Sequence, residues 1–138
     1  MRRIARRVFA LGLCGAVLSS SERAFAGTYL NRAALLLSAA VRETEYLRKR
    51  LSDRELAQVV YSMAKARRET ASAMTVPSEV ANAHPHLLLT FENYEQATEG
   101  AVRGEGERFI IYSQRAVDEE RTFRAVLKQH GWTLPDGN

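Results

Sequence analysis

Three histidines, His84, His86 and His130, are the residues best suited to hold a metal ion or carry a proton near neutral pH. If the chain folds as antiparallel helices, the start of a third helix lies beside the end of a fourth, and all three imidazoles come to one end. Met74, at the end of a second helix, belongs to that end too. A metal needs its ligands about 2 Å away, and imidazole with thioether suits copper, while imidazole alone also suits zinc. The competing reading is structural. His84 and His86 are then surface residues, and His130 stabilises the carbonyl end of the last helix.

Two carboxylates are the next candidates. Glu119 falls on the predicted inner stripe of the fourth helix and Glu95 near that of the third. A lone buried carboxylate is costly and marks a functional site unless a cation such as Arg67 pairs with it. The basic runs Arg48-Lys49-Arg50 and Arg67-Arg68 otherwise read as solvated faces balanced by Glu43, Glu45 and Glu69.

Many chemistries are missing. The sequence has no G-x-x-x-x-G-K-[ST] loop, no G-x-G-x-x-G after a strand and no G-x-S-x-G elbow. The residues three after Glu92 and Glu95 are Glu95 and Thr98, so the E-x-x-H pairs of di-iron bundles are absent. Cys14 is the only cysteine, which leaves the chain beyond it without a disulfide, a thiolate metal site or a C-x-x-C-H haem attachment. Aromatic side chains at helical spacing read as core packing.

The elements that must position these residues are helices. The 138 residues suffice for one small domain, 46% of them hydrophobic and only three of them proline. No stretch shows sustained period-2 alternation. Four amphipathic segments succeed one another along the chain. The first runs from about Thr28 to Arg50, with Leu30, Ala34, Leu37, Val41, Thr44 and Leu51 recurring at three- and four-residue spacing. Ser52 and Glu55 form a capping box for the second, whose stripe is Leu56, Val59, Met63, Ala66, Thr70 and Ala73. The third begins near Pro85, with His84 pushed out of the helix. After a turn at Gly104-Glu105-Gly106, the fourth runs from about Glu107 to Gln129. Its stripe is Phe109, Tyr112, Ala116, Glu119, Phe123, Val126 and His130, and Gly131 supplies the left-handed stop. The predicted fold is all-α, an up-down-up-down four-helix bundle with Phe91, Phe109, Tyr112 and Phe123 in one core.

The N-terminus reads differently. Arg2, Arg3, Arg6 and Arg7 precede an eleven-residue apolar run, Val8 to Leu18, and then Ala24-Phe25-Ala26. That is the layout of a secretory signal peptide with an A-x-A cleavage site, and the run is shorter than the ~20 residues that span a bilayer. The expected organisation is an export signal over 1–26 and one bundle domain over 27–138. Arg6-Arg7-Val8-Phe9-Ala10-Leu11 resembles the twin-arginine export motif, though Ala5 stands where a polar residue is usual. Leu11-Gly12-Leu13-Cys14 resembles a lipobox, with Leu13 where a small residue belongs.

This division also decides the charge. The whole chain is formally +4, but the first 26 residues hold five arginines against one acid, and residues 27–138 contain as many acids as bases. A neutral domain lacks the basic face that nucleic-acid binding needs. The expectation is an exported, periplasmic, non-enzymatic accessory subunit or binding protein. It needs no cofactor and no transmembrane helix after processing, and its partner is a protein in a larger, membrane-associated assembly. The alternatives are a copper- or zinc-binding bundle using His84, His86 and His130, and a chaperone-like helical protein.

Overall fold

A computed structural model of the protein describes residues 10–136, with side-chain surroundings from residue 23 onward. Four helices carry the fold: α1 (Ala10–Arg48), α2 (Arg54–Ser72), α3 (His84–Val102) and α4 (Gly106–Gln129). A 3-10 turn, Ser78–Val80, sits between α2 and α3, and no strand occurs among the described residues. The chain is an all-α helical bundle, as the periodicity predicts.

Cross-helix pairs fix the directions. Glu43 of α1 binds Arg67 of α2, and Arg68 of α2 binds Glu95 of α3. Arg54, at the start of α2, donates to the carbonyl of Val102 at the end of α3, 2.8 Å away. His86 near the start of α3 meets Glu119 of α4, and Arg108 near the start of α4 reaches Gln96 and Glu99 of α3. Consecutive helices therefore run antiparallel.

Local chemistry explains the ends. Two helices stop in the same way. Gly104 and Gly131 adopt φ of 74° and 79°, which costs glycine nothing because it has no Cβ. The amides beyond them then reach back to orphaned helix carbonyls: Glu105 to Gly100 at 2.8 Å and Trp132 to Leu127 at 2.9 Å. Trp132 and Leu134 fold onto the core beside the end of α4.

Three helix starts differ from the sequence expectation. The N-cap of α2 is Asp53 rather than Ser52; its carboxylate accepts from the Leu56 amide at 3.0 Å, a stronger, charge-assisted bond. The third helix begins at His84 rather than Pro85, because Tyr29 of α1 binds the His84 ring and holds it in the first turn against the bias of a residue before proline. The first helix begins at Ala10 rather than Thr28. No proline stands between Leu11 and Gly27 to end it, the glycines there are tolerated, and Ala24-Phe25-Ala26 lies inside it.

All four helices pack at alternating three- and four-residue spacing, as in knobs-into-holes bundles. The buried series is Leu30, Ala33, Leu37, Ala40, Thr44, Leu47 on α1 and Ala57, Val60, Ala64, Arg67, Ala71 on α2. On α4 it is Phe109, Ser113, Ala116, Phe123, Leu127. Two expected stripes are therefore rotated. On α2 the alanines face inward while Val59 and Met63 are exposed, since small side chains let α2 approach α3. On α4, Ser113 replaces Tyr112 and Leu127 replaces Val126. Val41 of α1 is exposed as well.

The single expected core is two. One cluster holds Tyr29, Leu37, Leu87, Phe91, Tyr94, Phe123 and Leu127; the other holds Leu47, Val60, Ala97 and Phe109, with Tyr112 only half-buried against it. Every helix also buries a polar residue, Thr44, Arg67, Thr98 and Ser113 toward the junction of the two clusters, and α3 buries a second, Thr90.

Candidate functional site

The end of the bundle holding the start of α3 and the end of α4 gathers the histidines by topology, together with Met74, which packs on the same cluster as Tyr29 and Leu127. Their side chains go separate ways. His84 Nδ1 lies 2.8 Å from the Tyr29 hydroxyl, with the rings 5.7 Å apart. His86 Nδ1 lies 3.0 Å from Glu119 Oε2. His130 is the exposed C-cap of α4. It stands eleven residues beyond Glu119, about 16 Å along the axis at 1.5 Å per residue. Among the described residues, no three His, Cys, Asp or Glu side chains are grouped to hold a metal ion. The reason is register. Because His86 faces Glu119, α4 runs past the start of α3 before it reaches His130.

Tyr29 and His84 form a partly buried polar contact with consequences for stability. Burial pushes the Tyr29 phenol far above its usual range and pushes His84 below its usual value. The phenol therefore keeps its proton beside a neutral imidazole, and the two share one hydrogen bond. A histidine harder to protonate folded than unfolded binds fewer protons in the native state, so stability falls as pH drops below the unfolded value of about 6.5. The fall levels off once pH passes the lower folded value. We expect the melting temperature of the full chain to decline on acidification from pH 7. His84→Gln, which accepts the hydrogen bond without titrating, should flatten that part of the curve; identical pH profiles for the two proteins would refute this origin.

The carboxylates are also placed differently from expectation. Glu119 is not buried but half-exposed against His86. The acid on the inner side of α4 is Glu120, with 14% of its side chain exposed and bound to Arg124. Glu95 is paired, but with Arg68. Arg67, expected on a solvated face, has only 8% of its side chain exposed and is neutralised by Glu43. Tyr94 lies near these charges, and its pKa is pushed up to about 12, by burial first and then by Glu120 and Glu45. The hydroxyl of Thr98 bonds to the carbonyls of Tyr94 and Glu95. Ser113 Oγ is buried without a partner among the described residues. Glu120 and Arg124 line one surface pocket, with Arg42, and Arg68 and Glu95 line another.

Glu43→Ala should expose the dependence of Arg67 on its partner. It strands the Arg67 guanidinium in the interior and is expected to cost about 3 kcal/mol, whereas Arg67→Met, of similar shape, should cost far less. Chemical denaturation of both variants checks the ordering, and equal losses would contradict it.

The outer seam of α1 and α2 is the feature that sequence reasoning missed. Leu35 is 65% exposed and Val59 56%, with Tyr46 and Met63 beside them. They border two apolar pockets that follow one another along the seam and together make its groove. Tyr46, Leu56, Val59 and Met63 line the first, with Ala39 and Arg42. Leu35, Leu36, Ala73 and Met74 line the second, with Arg32. The predicted core stripe of α2 includes Val59 and Met63; its rotation by one residue turns them into surface. The signal is present as surplus. The helix carries apolar residues on two adjacent faces, which is more than one core-facing stripe requires.

The stretch Arg23–Arg48 has a mean hydropathy of 1.2 over an 18-residue window, and by length and composition it is able to cross a membrane. Leu30, Ala33, Leu37 and Ala40 nevertheless face the bundle core.

No protein-family model matches the chain, and neither a curated protein nor a solved structure matches it.

Proposed function

We propose that the chain is an exported, periplasmic accessory subunit that docks on a larger, membrane-associated protein assembly and has no catalysis of its own. The apolar seam on α1 and α2 carries this reading. Isolated apolar side chains are ordinary on a surface, but several lining one groove mark a place where something binds. The chain spends large residues, Leu35, Tyr46, Val59 and Met63, where its own core does not use them. The N-terminal order of arginines, short apolar run and A-x-A triplet supports export. The acid–base balance after residue 26 argues against a nucleic-acid partner.

The test is photo-crosslinking in the native membrane fraction from a reactive residue at position 35 or 59, with position 121 of α4 as control. Arg121 has 75% of its side chain exposed and lies away from the seam. We expect one adduct of fixed mass from the seam positions and none from the control. Equal labelling at all three, or none at any, would overturn the reading.

A further inference from the structure

We infer that the α1/α2 groove receives a single amphipathic helix of a partner protein, one that carries acidic residues along one edge of its apolar stripe. This rests on the seam being a docking face and names what docks there.

Shape comes first. The two pockets succeed each other along α1 from Arg32 to Tyr46, about 20 Å at 1.5 Å per residue, the length of some four helical turns. Two apolar pockets in succession between the same two helices suit a rod, as in other helix-in-groove recognition, where anchors at i, i+3/i+4 and i+7 fill successive pockets. A bilayer surface presents no rod to fill it. Four side chains are placed as such pockets require: Leu35 and Leu36 toward one end, Val59 and Met63 toward the other.

Charge selects the edge. Three charged residues line the two sections: Arg32, Arg42 and Glu43. Glu43 is already bound to Arg67. Arg32 and Arg42 are exposed, and neither makes an ion pair among the described residues, where ten such pairs occur. They stand on α1 about 15 Å apart, three turns, on the rim of the groove. On the α2 side the lining is Leu56, Val59, Val60 and Met63, then Thr70, Ala73, Met74 and Thr75, with no charge. The groove therefore has one cationic rim and one neutral rim. A docked helix with carboxylates about eleven residues apart on one edge would match both cations. A basic helix would be repelled, and the asymmetry fixes which way round the partner lies.

The experiment uses the full chain and a fluorescent synthetic peptide of about 16 residues. The peptide is helical, with leucines at i, i+4, i+7 and i+11 and two glutamates eleven apart beside that stripe. A second peptide carries lysines in place of the glutamates. We expect saturable one-to-one binding of the glutamate peptide and at least about tenfold weaker binding of the lysine peptide. Arg32→Glu with Arg42→Glu should reverse that preference, and Val59→Glu should weaken both peptides. Reversal is decisive, since a misfolded variant would lose binding to both.

Equal binding of the two peptides, or charge reversal without a switch in preference, overturns the inference. So does self-association abolished by Val59→Glu, which would make a second copy the occupant. Binding only to anionic phosphatidylserine vesicles would do the same for a lipid surface. If neither peptide binds while positions 35 and 59 still crosslink to a protein, the partner chemistry is wrong and the docking face stands. If both fail, the docking reading falls with it.

Discussion

Phe123→Ala is expected to destabilise the bundle by about 3–5 kcal/mol, the usual range for truncating a buried aromatic. Phe123 is wholly buried in the larger apolar cluster with Phe91, Leu87 and Leu127. Removing its ring leaves a cavity ringed by α1, α3 and α4 side chains, whose close packing prevents full collapse. For a domain of this size the melting temperature should fall by more than about 10 °C. Val117→Ala on the outer side of the same helix is the control. Val117 is 40% exposed, and a surface change away from special contacts stays within about 0.5 kcal/mol. Calorimetry of the two variants decides it; equal melting points would show that the inner face of α4 is wrongly assigned.

The folded full chain should resist cleavage after Ala26, at a rate about 100-fold or more below that of a chain whose first turns are loosened. Ala24, Phe25 and Ala26 are helical, the Thr28 hydroxyl bonds to the Ala24 carbonyl, and Ala26 is fully buried. Proteolysis needs exposed, pliable backbone. Opening the site draws Tyr29 and Leu30 out of the core, and each large apolar side chain so exposed costs about 1.5–3 kcal/mol. Signal peptidase added to the folded full chain should leave it intact while Tyr29→Asp, which breaks the contact with His84, is cut to a product starting at Gly27. Equal cleavage of both would refute protection. Absence of cleavage in either would count against the export reading itself. If protection holds and the chain is exported as proposed, processing must precede closure of the bundle. That favours the general secretory route, since the twin-arginine route carries chains already folded.

Some of this was local and therefore legible. Helical periodicity shows in any window of a dozen residues, so the existence of α2, α3 and α4 and their limits could be read closely. Gly104 and Gly131 announced their turns because only glycine takes a positive φ cheaply. Phe91, Phe109 and Phe123 sit where two overlapping stripes agree, so a small rotation leaves them inside.

The face of a helix is another matter. Residues one position apart are separated by about 100° around the axis, and α2 offers apolar side chains on both Leu56-Val59-Met63 and Ala57-Val60-Ala64. Size favoured the first set; the fit of α2 against α3 buried the second and left the larger residues to form the groove. Arg67 and Glu120 could enter the interior because Glu43 and Arg124 neutralise them, and the Glu43 partner comes from another helix. The histidines show the same limit. Sequence order placed His84, His86 and His130 at one end, while packing set His84 against Tyr29 and His86 against Glu119 and left His130 exposed at the end of α4. Periodicity is a property of one segment, whereas burial and pairing belong to two or more segments together. The sequence alone determined a bundle of helices; the choice of faces, the polar layer between two cores and the exposed seam came from how those helices settle against one another.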